Sequence, residues 1–82
     1  SAGIVCLTYV DNQLRIMWKN YSTDYNMLHG IDINSDGQRL YVSGRGDGNL
    51  HILNSNNGVR IKSIPLNENA SAAMATGLIV LP

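Results

Sequence analysis

Three turn dipeptides limit what this chain can fold into. Asp36-Gly37, Asp47-Gly48 and Asn57-Gly58 follow one another at intervals of 11 and 10 residues. Each joins a side chain that hydrogen-bonds its own turn to a glycine that takes φ > 0 without steric cost. Between them stand HGIDINS, RLYVSGR, NLHILNS and VRIKSIPL, runs of seven or eight residues. Apolar runs that short, closed by turn signals, read as strands and not as helices. Tight turns join antiparallel neighbours, so His29 to Leu66 is expected to be a four-stranded antiparallel meander in an all-β chain.

Alternation then assigns faces. Ile31 and Ile33 lie opposite Asp32 and Asn34, Leu40 and Val42 lie opposite Tyr41, and Leu50 and Ile52 lie opposite His51 and Leu53. In the fourth strand Arg60 and Lys62 alternate with Val59, Ile61 and Ser63, so the basic residues are expected to face outward on a solvent-exposed strand. Pro65 closes the ladder, because it donates no backbone hydrogen bond.

The flanks repeat pieces of the same unit. GIVCLTYV (Gly3 to Val10), the turn Asp11-Asn12-Gln13 and LRIMWKNYS (Leu14 to Ser22) form a hairpin. Leu7 aligns with Leu50, Leu14 with Val59 and His29-Gly30 with Thr76-Gly77, at offsets of 43, 45 and 47. A period of that length is the size of one blade of a β-propeller. The expected organisation is a half blade over 3–22, a full blade over 29–66 and the first strand of a third over 72–81. The linkers are Thr23 to Leu28 and Asn67 to Ser71.

Composition excludes several function classes. Six basic and six acidic residues give a net charge of zero, and no basic stripe marks a nucleic-acid or anionic-membrane surface. The single cysteine, Cys6, allows neither an intrachain disulfide nor a cysteine-based metal site, and is read as a small buried hydrophobe. No apolar stretch approaches the roughly 18–20 residues of a membrane-spanning helix.

The central segment resembles the YVTN-type β-propeller repeat. The resemblance rests on His29-Gly30-Ile31, Ser35-Asp36-Gly37, Arg39-Leu40-Tyr41-Val42-Ser43, Gly48-Asn49-Leu50, Asn57-Gly58 and Ile64-Pro65-Leu66. It covers about 38 of the 82 residues. It implies a periplasmic or extracellular binding scaffold. No residue set in the chain assembles into a catalytic or cofactor site, so a non-enzymatic scaffold without a cofactor is expected. An isolated blade leaves open edges and apolar faces, so the chain is expected to be a fragment of a longer propeller or to associate with further blades from its own copies or another chain. Some related propellers carry metal or quinone chemistry, so a segment of a periplasmic redox propeller is the alternative.

Four residues are candidate ligand contacts. His29 opens the innermost strand, where propeller side chains face the central funnel, and imidazole is a common metal ligand. Asp32 lies on the same strand. Arg45 and Asp47 belong to Arg45-Gly46-Asp47, an integrin-recognition tripeptide at a hairpin tip, which makes surface adhesion a further reading. No catalytic triad is read from the sequence, His51 is taken as structural, and Trp18, Tyr21 and Tyr25 are taken as packing residues.

Overall fold

A computed structural model describes residues 2–66 and 77–81. The expected linker Asn67 to Ser71 and residues 72–76 of the expected last strand lie outside the described residues. Gly77 to Leu81 carry no strand ladder. The Val80 N–H donates to Asp32 Oδ2 (2.8 Å), which anchors this segment beside the central sheet.

Six antiparallel strands form two sheets. β1 (Ala2–Val10) and β2 (Gln13–Ser22) make a hairpin. β3 (Leu28–Ile33), β4 (Arg39–Gly44), β5 (Asn49–Asn54) and β6 (Arg60–Pro65) make a four-stranded meander in chain order. There is no helix among the described residues, so no helix there is long and apolar enough to cross a membrane.

The meander's turns share one chemistry. Gly37, Gly48 and Gly58 sit at φ +75°, +74° and +76°. In each turn the preceding side chain accepts the N–H two residues on, at 2.9 Å: Asp36 from Gln38, Asp47 from Asn49, Asn57 from Val59. Only the hairpin β1–β2 has a two-residue turn in which both residues are left-handed, Asp11 and Asn12 (φ 53° and 63°). Gln13 already pairs with Val10 and belongs to β2.

Two bulges decide which residues face where. Cys6 pairs with Trp18 but Leu7 with Ile16, leaving Met17 unopposed. Ile52 pairs with Lys62 but Leu53 with Arg60, leaving Ile61 unopposed. An extra residue reverses the alternation on its strand. Arg60 therefore joins the face of Leu53 and His51, contrary to the expected outward orientation of the basic residues. Aligned on their bulges, the two hairpins superpose Cys6 on Ile52 and Trp18 on Lys62, in place of Leu7 on Leu50.

The sheets stack face to face. Ile4, Tyr25, Val42 and Leu53 are buried between them, with Ala2, Trp18, Leu28 and Leu40 packed around. Trp18 Nε1 donates to the Ser55 carbonyl (2.9 Å) and Asn20 Nδ2 to the Gly58 carbonyl (2.7 Å), tying the hairpin to the β5–β6 turn. Half-buried Cys6 lines a 280 Å³ cavity between the sheets with Trp18, Ile33 and Leu40.

The hairpin's other face is uncovered. Val5, Leu7, Tyr9, Leu14, Ile16 and Tyr21 project from it at 42–67% exposure, and the pairs Leu7–Ile16 and Tyr9–Leu14 stand side by side across the ladder. The Tyr21 ring lies over Gly3, its cross-strand partner. Among the described residues four apolar side chains are buried and sixteen large ones are exposed. That ratio is inverted for a self-sufficient domain.

Candidate functional site

The polar centre of the fold is built where the β4–β5 turn meets the linker before β3. Gly44 ends β4 at a point where any Cβ would meet the Asp47 carboxylate. The turn closes with Gly48 N–H donating to the Gly44 carbonyl (2.8 Å), and the linker docks onto it. Arg45 N–H donates to the Met27 carbonyl and Gly46 N–H to the Asn26 carbonyl, both at 2.9 Å. Met27 takes a left-handed φ of 51° to allow this.

Asp47 is turned inward. Its carboxylate accepts Asn26 N–H (2.8 Å) and Asn49 N–H (2.9 Å), and both oxygens lie 3.1 Å from His51 Nε2. His51 Nδ1 lies 2.7 Å from Ser63 Oγ, its cross-strand partner on β6. With the ring proton on Nε2, His51 donates to Asp47 and accepts from the Ser63 hydroxyl, so both nitrogens are satisfied. The imidazole is fully buried, and Tyr25 meets it edge-on at 4.7 Å between ring centroids.

The same brace extends to the linker. Arg60 Nη2 contacts Asp24 Oδ2 at 2.8 Å, and its guanidinium sits 5.3 Å from the centre of the Tyr25 ring. Half-exposed and solvent-screened, such an ion pair is worth about 0–1 kcal/mol. Its role is to hold the linker over Tyr25. The buried Tyr25 hydroxyl has no hydrogen-bond partner among the described residues. Burial pushes its ionisation upward, against the pull of Arg60. Asp24, Asn49, Arg60, Lys62 and Ser63 line an open cleft of about 420 Å³, with His51 as its floor.

Carboxylate, imidazole and hydroxyl thus stand in the order of a nucleophilic triad, yet each is committed to the fold. Asp47 caps two backbone amides, and His51 bridges two strands while packing on Tyr25. The network acts as a cross-brace joining turn, linker and β6.

Burial disfavours the charge on Asp47, but hydrogen bonds from Asn26, His51 and Asn49 outweigh it and hold the carboxyl below its ordinary value of 3.8. A depressed carboxyl contributes stability that is present above the unfolded value and is lost as pH falls through the folded one. Stability is therefore expected to be level from neutral pH to about pH 5 and to drop below about pH 4. Asp47→Asn should lower stability at pH 7 and flatten the acid limb, read from urea midpoints at successive pH values. A variant with the parent's acid limb would remove Asp47 from this role.

The four sequence-predicted residues do not converge. Asp47 is the hub of the brace, and Arg45 contributes its backbone to the linker contact. Asp32 accepts Val80 N–H and Ile33 N–H, both at 2.8 Å, and these bonds hold its carboxyl below the ordinary range. His29 is exposed and lines a shallow 170 Å³ depression with Ile4, Leu28 and Val42. It stands at the irregularity between Leu28 and Gly30. Among the described residues no three His, Cys, Asp or Glu side chains gather to hold a metal ion. Sequence reasoning missed Ser63, Arg60, Asp24 and the partnership of His51 with Asp47. The four-residue spacing of Asp47 and His51 across a turn was the only local signal for the last.

Compared with protein-family models, curated proteins and solved structures, the chain matches none.

Proposed function

We propose that this chain is a non-enzymatic binding and assembly scaffold of the β-propeller kind, completed by further sheets from its own copies or another chain. The observation that carries the reading is the uncovered outer face of the hairpin, where Val5, Leu7, Tyr9, Leu14, Ile16 and Tyr21 make a largely apolar surface crossed by one charge, Lys19 opposite Val5. The hairpin's inner face already packs on a second sheet through Ile4 and Trp18, so the mode of contact for a further sheet exists within the chain. Apolar faces of this extent are interaction surfaces. Burying one of these side chains contributes about 1.5–3 kcal/mol. The brace around Asp47 supports the same reading, because it spends the polar side chains on holding the blade's shape.

Light scattering after gel filtration tests it. The chain is expected to elute as an assembly at micromolar concentration. Leu14→Ser with Ile16→Ser should shift it towards monomer while the β-sheet circular dichroism is retained. A parent chain that stays a folded monomer at high concentration would sink the proposal.

A further inference from the structure

The four sheet-edge strands are not equally defended. β2 carries Arg15 and Lys19, β3 carries Asp32, and β6 carries Arg60, Lys62 and Pro65. Charges and prolines on an edge discourage further pairing. β1 is nine residues long, AGIVCLTYV, with neither charge nor proline. Among the described residues its backbone bonds only to β2.

The bulge alignment says what belongs on that edge. β1 corresponds to β5 and β2 to β6, with the unopposed residue on the second strand in both hairpins. The far side of β5 is occupied by β4, paired antiparallel from Arg39–Asn54 to Ser43–Leu50. The equivalent side of β1 has no such partner among the described residues, and β1 exceeds the six residues of β5 in length.

We infer that the open edge of β1 is a strand-acceptor site for an antiparallel strand of the β4 type, an extended segment with apolar side chains at alternate positions. This inference rests on the scaffold reading and specifies one partner for it. Backbone hydrogen bonds supply the attraction in such pairing, and alternate side chains supply selectivity. The added ladder reproduces in the first sheet the β4–β5 pairing of the second, with Ile4 and Cys6 on the packed face and Val5 and Leu7 on the outer one.

The probe is a fluorescent peptide of residues 36–47, DGQRLYVSGRGD, titrated with the full chain and read by anisotropy. Two further peptides carry N-methyl groups at Leu40 and Val42, or at Tyr41 and Ser43. In an antiparallel pair only alternate N–H groups point at the neighbouring strand. One methylated peptide is therefore expected to lose binding at least tenfold, while the other binds within about twofold of the parent. Val5→Lys in the protein should weaken the parent peptide, and Leu14→Ser should not.

Absence of binding overturns the inference, as does equal tolerance of both methylated peptides, which would mean contact through side chains alone. A chain whose self-association survives Leu14→Ser with Ile16→Ser, and which the peptide cannot displace, overturns it in favour of β1 pairing with β1 of a second copy. Outer-face association measured by light scattering with Leu14→Ser and Ile16→Ser stands or falls separately.

Discussion

Gly58→Ala is expected to unfold a large fraction of the chain at room temperature, whereas Gly37→Ala leaves it folded. Both glycines lie in the left-handed region, at φ +76° and +75°, so both variants carry the backbone penalty of about 1–2 kcal/mol. They differ in what a Cβ meets. At Gly37 nothing lies within 4 Å, while at Gly58 the Cβ would enter the ring of Trp18. Relieving that overlap costs roughly 1–3 kcal/mol more. It also pulls Trp18 from the Ser55 carbonyl and disturbs the Asn20–Gly58 bond, the two described hydrogen bonds from the hairpin to the β5–β6 turn. A chain this small has little stability in reserve. Trp18 is the sole tryptophan, so its emission reports the contact directly. A red-shifted spectrum and a lower urea midpoint are expected for Gly58→Ala alone. Equal midpoints for the two variants would show that the hairpin does not lean on Gly58.

His51→Ala is expected to cost about 3–4 kcal/mol, from the cavity left by a fully buried ring and the bonds lost to it. Asp47 keeps its two backbone donors but loses its side-chain donor, and the Ser63 hydroxyl loses its acceptor while keeping the donor Arg60 Nη1. The edge contact with Tyr25 at 4.7 Å is lost as well. His51→Gln, which restores one donor or acceptor in less volume, should recover only part of the loss. Amide exchange locates the damage: protection should fall first at Asn26 and Asn49, whose N–H groups Asp47 holds, and at β6. A loss spread evenly over both sheets would instead indicate simple core depletion.

The turns were legible because their chemistry is local. Asp36-Gly37, Asp47-Gly48 and Asn57-Gly58 each need one glycine at φ > 0 and one side chain within reach of an N–H two residues on, and both requirements are written in adjacent residues. The bulges were not legible. Met17 and Ile61 are ordinary strand residues, and nothing beside them signals that they stand unopposed. For that reason Arg60 was expected in solvent and is instead on the face of Tyr25 and Asp24. The candidate site divides in the same way. Asp47 stood out as a turn residue in an adhesion-like tripeptide, but its partners come from the linker and β5, and β6 joins the brace only through Ser63 at His51.

By itself, then, the sequence determined the all-β character, the four strands of the central meander and the places where the chain reverses. These follow from backbone sterics and side-chain alternation over a few residues. Only the tertiary structure decided which face Arg60 joins, that Ser63 stands opposite His51, and that one side of the hairpin packs while the other stays bare. Those outcomes depend on strand register and on stacking between sheets. Both are set by contacts between residues far apart in the chain, such as Trp18 with Ser55 and Asn20 with Gly58, and a one-residue shift in register reverses every face.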